Sequence, residues 1–124
     1  MSKTIRVMIV DDHEVVRNGL RTYLNTQTDF EVVAEASSGE QAVSLAREHH
    51  PDVVLMDLVM EGMDGVRTTR EVKKVCPSAQ VVVLTSYHQD EFIFPALQAG
   101  AVSYILKDVR MEEMADTIRL AANG

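Results

Sequence analysis

The chain of 124 residues has one cysteine, more acid than base, no low-complexity segment and no internal repeat. It also lacks any apolar run of about eighteen residues, the length needed to cross a bilayer. Each absence excludes something. Cys76 alone cannot close an internal disulfide, and without Cys and His at zinc spacing it does not belong to a zinc site. It reads as a reduced thiol packed near a helix end. The lack of a long apolar run, and of a basic N-terminal region leading into an apolar segment, argues against a membrane span and a signal peptide, so a cytoplasmic protein with no membrane partner is expected. Twelve Lys and Arg stand against nineteen Asp and Glu, a formal net charge of -7. Phosphate binding needs basic side chains gathered on one face, so this segment is not expected to grip nucleic acid itself. Any DNA contact falls to another domain.

What is present is a regular alternation. IRVMIV (5–10), FEVVAEA (30–36), DVVLM (52–56), QVVVLT (80–85) and SYILK (103–107) read as strands from their length and β-branched content. Between them apolar residues recur at helical spacing: Val16, Leu20, Tyr23 and Leu24; Ala42, Val43, Leu45 and Ala46; Val66, Val72 and Val75; Ile93, Ala96 and Leu97; Met111, Met114, Ala115, Ile118 and Ala122. Strands alternating with helices imply right-handed crossovers onto a parallel sheet covered on both faces, an α/β doubly wound domain of five units. Pro95 lies inside the fourth helical pattern and lacks a backbone donor, so that helix is expected to start late, kink or fray.

In such a sheet ligands bind beyond the carboxyl ends of the strands. Asp11 and Asp12 follow the first strand, Asp57 the third, Thr85 ends the fourth and Lys107 the fifth. Each has an ordinary reading: Asp12 as a helix N-cap, Asp57 as a turn acid, Thr85 as an edge hydroxyl, Lys107 as a solvated lysine. Their convergence on one edge outweighs these. Several carboxylates with an open face make a hard oxygen site suited to magnesium, which keeps waters and shares its shell with phosphoryl oxygens. His13 reads as solvent-facing rather than as a ligand, and Arg70, Lys73 and Lys74 as a solvated helix face. His49 and His50 read as cap residues at the end of the second helix.

The acidic pair, Asp57, the MDG run (63–65), Thr85, and Tyr104 with Lys107 together resemble the receiver domain of two-component response regulators, over essentially the whole chain. The segments VDDHEVVRNGL and SYILK are most similar to NarL-type regulators, and LMDLVMEGMDG to the LiaR and VraR envelope-stress group. The resemblance implies a flavodoxin-like strand order 2-1-3-4-5 and a Mg2+-dependent phosphoacceptor. Asp57 is then the residue phosphorylated by a sensor histidine kinase. Asp12 binds the metal directly and Asp11 largely through water, with the Asp57 carboxylate and the Val59 carbonyl completing the protein's share. Lys107 and Thr85 contact the phosphoryl oxygens, and Tyr104 follows Thr85 inward as the switch. A signalling domain of this kind catalyses only its own phosphorylation and dephosphorylation.

Departures from the family pattern are Glu61 where many receivers have Pro, and Asp108 rather than Pro after Lys107. Val59 and Tyr87 flank the path of an attacking water, so slow self-dephosphorylation is expected. The NarL-type likeness implies a homodimer on phosphorylation, through the first and fifth helices. Val15, Gly19, Met114 and Ile118 are its expected contacts. It also implies a DNA-binding output domain beyond Gly124, with Asn123 and Gly124 capping the fifth helix; the alternative is a receiver standing alone. Two other classes fit less well. A flavodoxin-like nucleotide binder offers Ser, Thr and Gly amides in its first loop, where this chain offers two acids. An aspartate-nucleophile phosphohydrolase carries a second acid two residues after the nucleophile, where this chain has Val59.

Overall fold

The computed structural model describes residues 4–60, 62–86 and 91–123. The elements follow in the order β1 (Ile5–Val10), α1 (Glu14–Asn25), β2 (Phe30–Ala36), α2 (Gly39–His49), β3 (Val53–Asp57), α3 (Gly65–Val75), β4 (Gln80–Thr85), α4 (Ile93–Ala99), β5 (Ser103–Leu106) and α5 (Met111–Ala122). All four strand pairs are parallel, and the sheet order is β2-β1-β3-β4-β5. The expected doubly wound α/β fold is present, with its strand order.

The strands are apolar on both sides because helices cover both. Met8, Val10, Val54, Met56, Val81 and Val83 point into one core layer, closed by Ala42, Ala46, Val72 and Ala96 of α2, α3 and α4. Their strand neighbours Val7, Ile9, Val53, Leu55, Val82 and Leu84 form the other layer, against Leu20 and Leu24 of α1 and Met114, Ala115 and Ile118 of α5. Alternation along each strand thus divides one apolar run between two cores.

Several local expectations change. β3 extends to Asp57, so the acid is the strand's last residue rather than the first beyond it; β5 ends at Leu106, leaving Lys107 just outside. The ordinary reading of Asp12 as a helix cap, already outweighed by the convergence of the acids, does not hold: His13 occupies the N-cap of α1 and makes no side-chain cap bond. Val16, expected in the buried stripe of α1, is 37% exposed. Met114 and Ile118, expected at a dimer contact, are 2% and 0% exposed in the core under the sheet. The stripe that packs α5 on the sheet uses them, so they have no surface to offer a partner. Lys73 is not simply solvated. Its Nζ donates to the carbonyls of Pro77 and Ala79, both at 2.8 Å.

α4 starts at Ile93, the first residue of its apolar pattern, so Pro95 falls in the first turn, where a backbone N–H has no helical acceptor to lose. His50 caps α2 in the left-handed region with φ 48°, and Cys76 is buried at the C-cap of α3. The Lys107–Asp108 peptide is trans, as is every peptide bond among the described residues. The expectations for Glu61, Tyr87 and Gly124 lie outside the described residues.

Candidate functional site

The parallel register brings the strand ends together. Val10 pairs with Met56, and Asp57 with Leu84, so the residues after β1, at the end of β3 and at the end of β4 share one edge. Lys107 joins them through its backbone N–H, which donates to the Thr85 carbonyl at 2.7 Å. Asp11, Asp57 and Thr85 are fully buried there.

Asp57 is the centre of the arrangement. Its Oδ1 lies 3.0 Å from Lys107 Nζ and accepts the Val59 N–H at 3.4 Å. Oδ2 is buried and makes no hydrogen bond to any described residue; the same holds for Asp11 Oδ2. Burial pushes the Asp57 carboxyl above its ordinary range; the Lys107 bond opposes the rise and the negative charge of Asp11 adds to it. A single partly exposed ammonium therefore does not compensate the buried acid.

Asp11, Asp12, His13 and Asp57 each offer a ligand atom within 4.8 Å of the others. Opposite ligands of a magnesium ion stand about 4 Å apart, so small adjustments or an intervening water would bring the carboxylates into a common shell. Two buried carboxylate oxygens with no hydrogen bond to a described residue, on acids that belong to this cluster, are the feature that fits a hard cation, because such oxygens are otherwise costly. Asp11, Asp12 and Asp57 suit it; an imidazole suits it less.

His13 is closer to this cluster than expected. Its ring is largely exposed, yet Nδ1 lies 3.0 Å from both Asp11 Oδ1 and Asp12 Oδ1, and its N–H donates to Asp11 Oδ1 at 2.8 Å. Its adjacency to the acidic pair was the available signal. Val59 and Tyr104 are about half exposed, so the Tyr104 ring stands outside the site. Val15 and Gly19 lie on an exposed face of α1.

Gly65 is a residue whose necessity the sequence did not reveal. A Cβ there would lie 2.3 Å from the Asp57 carbonyl oxygen and 2.5 Å from Leu58 Cα, both backbone atoms. Its N–H donates to the Leu58 carbonyl at 2.9 Å, pinning α3 against the end of β3. The MDG run drew attention to the position, but only the packing explains it.

The profile of the response regulator receiver domain family matches residues 7–119. The transcriptional regulatory protein LiaR of Bacillus subtilis is 49% identical over 120 residues, covering 97% of this chain and 57% of that protein. Response regulator protein VraR of Staphylococcus aureus is 49% identical over 121 residues, 98% of this chain and 58% of that protein. Among solved structures, the signal receiver domain of the response regulator NarL from Mycobacterium tuberculosis superposes with a TM-score of 0.91 at 32% identity, covering 98% of both chains. The receiver domain of Thermotoga maritima CheB does so with 0.90 at 30%, again covering 98% of each. The chain thus spans less than three fifths of the curated relatives it matches.

Proposed function

The chain belongs to the response regulator receiver domain family, and from that premise we propose that Asp57 accepts a phosphoryl group from a sensor histidine kinase, with Mg2+ bound beside it. The observation that carries this is the buried Asp57 carboxylate, with Lys107 on one oxygen and none of the described residues bonded to the other.

Asp11, Asp12 and Asp57, with the Val59 carbonyl, would hold the metal, which when bound neutralises charge on the transferring group and helps align it. A carboxylate oxygen of Asp57 attacks the phosphorus of a phosphohistidine. The P–O bond forms as the P–N bond breaks, and the leaving imidazole keeps its electron pair and takes a proton from solvent. Lys107, paired with Asp57 beforehand, moves its charge onto a phosphoryl oxygen. Thr85 donates its hydroxyl to another, and the half-exposed Tyr104 ring turns inward behind it as the switch.

The output is transcriptional. Relatives that extend well beyond the matched region, one of them a transcriptional regulatory protein, support a DNA-binding domain following this receiver in a cytoplasmic protein. Phosphorylation would promote a homodimer using the exposed α1 face of Val15 and Gly19, with the outward side of α5 in place of its buried stripe. A two-fold pair presents two such output domains to a palindromic site.

The test is intact-mass measurement after incubation with a small-molecule phosphodonor. Wild type with Mg2+ gains one phosphoryl group, removable by hydroxylamine as expected of an acyl phosphate. Asp57→Ala gains none while staying folded, and EDTA prevents labelling of wild type. Labelling of the Asp57→Ala protein would move the nucleophile elsewhere. Asp12→Ala should weaken Mg2+ binding strongly, since few protein ligands share the shell.

A further inference from the structure

We propose that Arg17 is a positioning residue for the acidic pair: with Glu35 it fixes the Asp11 main chain so that the buried Asp11 carboxylate faces the cation. The proposal rests on the divalent-cation reading of the site given above.

Asp11 is the first residue beyond β1, where the sheet no longer holds the chain on both sides. Its N–H still reaches the Ala36 carbonyl at 3.0 Å. Its own carbonyl accepts Arg17 Nη1 at 2.7 Å. Both peptide groups flanking its Cα are thereby tied. The side chain follows: Oδ1 is taken by the His13 N–H and lies 3.0 Å from the His13 ring, leaving Oδ2 as the oxygen without a bond to any described residue. In a wholly buried residue with one carboxylate oxygen engaged, the direction of the other is set by the main chain, and Arg17 holds one end of it.

Arg17 is itself held. Its Nε lies 3.7 Å from Glu35 Oε1, and Glu35 Oε2 accepts Arg21 Nη1 at 2.5 Å. Glu35 belongs to β2 and both arginines to α1, so the acid ties the helix to the strand alongside the loop that carries Asp11. A guanidinium is suited to this task because its planar fork serves a carbonyl and a carboxylate at once, whereas an ammonium is a point charge on a flexible stem. Groups that orient metal ligands from outside the coordination shell commonly affect metal affinity as strongly as some ligands do.

Three roles for Arg17 give three different signs. If it acted only through its charge, removing a cation from beside a cation site would tighten Mg2+ binding. A purely structural contact would, when removed, lower stability and leave the metal affinity alone. A positioning residue, when removed, weakens the affinity. The experiment is calorimetric titration of MgCl2 into the folded chain for wild type, Arg17→Gln, Arg17→Lys, Glu35→Gln and the Arg17→Gln/Glu35→Gln double variant, with melting temperatures in EDTA recorded in parallel.

We expect Arg17→Gln to raise the Mg2+ dissociation constant about ten-fold, the lower end for an outer-shell partner. Arg17→Lys, which keeps the charge, should weaken binding in the same direction, as should Glu35→Gln. The double variant should bind no more weakly than Arg17→Gln alone, because Glu35 acts through Arg17. Unchanged or tighter binding in Arg17→Gln overturns the proposal, whatever happens to its melting temperature. Should Arg17→Gln fail to fold, unchanged affinity in both Arg17→Lys and Glu35→Gln overturns it equally. If wild type takes up no Mg2+, the cation reading fails and this proposal with it. Uptake by wild type and equal uptake by Arg17→Gln removes this proposal alone.

Discussion

Asp57 ends β3 with its carboxylate fully buried, and burial is the main reason its acid group is harder to ionise than an ordinary one. The stability consequence has a definite sign. With its folded pKa raised above the unfolded value near 4, the group destabilises the metal-free domain increasingly as pH rises through that interval. Asp57→Asn removes the charge and its repulsion with Asp11, and leaves behind a Lys107 that already reaches solvent. In EDTA at neutral pH the variant should melt about 3 °C or more above wild type, the shift that about 1 kcal/mol produces in a domain of this size. The difference should shrink toward pH 4 and narrow when Mg2+ stabilises the wild type. Thermal melts across that pH range, with EDTA and with Mg2+, check both parts. Gly65 meets the same strand end from the other side. Gly65→Ala puts a methyl group against backbone that cannot rotate away, so it should cost about 1–3 kcal/mol in urea unfolding and also weaken Mg2+ binding, by displacing Asp57.

Individual elements are held by contacts of long sequence separation. Near the end of α5, Arg119 makes a two-pronged pair with Asp29, Nε to Oδ2 at 2.7 Å and Nη2 to Oδ1 at 3.1 Å, and its guanidinium lies 4.9 Å from the centre of the Phe30 ring. The residues are 90 positions apart, so this pair docks the last helix onto the turn before β2. Chiefly through that hydrogen bond, Arg119 holds the Asp29 carboxyl below its usual range. A lowered acid stabilises the fold above the unfolded pKa near 4, and that contribution is lost as pH falls through the lower folded value. Both groups are about one-third exposed, so solvent screens the pair. Arg119→Met should therefore cost only about 1 kcal/mol at pH 7, and its deficit relative to wild type should decrease at pH 3. Urea unfolding of both proteins at the two pH values tests this. In α3, Lys73 bonds locally to the carbonyls of Pro77 and Ala79, and only its approach to Gly100 at the end of α4 reaches far along the chain.

At the scale of the whole molecule, the proposed dimer has to use what the two cores leave outside. Val15 is 84% exposed on α1, and on α5 Leu120 is exposed at 74%, while Met114 and Ile118 are committed to the interior. Val15→Glu should leave the monomer's unfolding free energy within about 0.5 kcal/mol of wild type, as a surface change does. Sedimentation with a beryllofluoride mimic of the phosphoryl group should show a dimer for wild type and a monomer for Val15→Glu. Equal behaviour of the two activated proteins would take α1 out of the interface. Ile118 is no test of association, since truncating it opens a cavity under the sheet.

The alternation of β-branched runs with helical periodicity was sufficient to predict the doubly wound class, because burial on both faces leaves continuous apolar strands that few other folds tolerate. The place of the candidate site was legible for the same reason: Asp11, Asp12, Asp57, Thr85 and Lys107 interrupt or end apolar runs, where a polar side chain is conspicuous. Tertiary structure decided matters that depend on residues distant in the chain. Helical periodicity put Met114 and Ile118 on the apolar stripe of α5 and Val16 on that of α1; that the first two are spent wholly on the core while Val16 sits half out depends on how the helices lie across the sheet. That Gly65 abuts the Asp57 carbonyl, and that Arg17 turns back to the Asp11 carbonyl with Glu35 beside it, depends on backbone atoms, which look alike at every position of a sequence. A side chain's own chemistry can be read one letter at a time; which main-chain atom it meets is set only when the strands pair and the helices close over them.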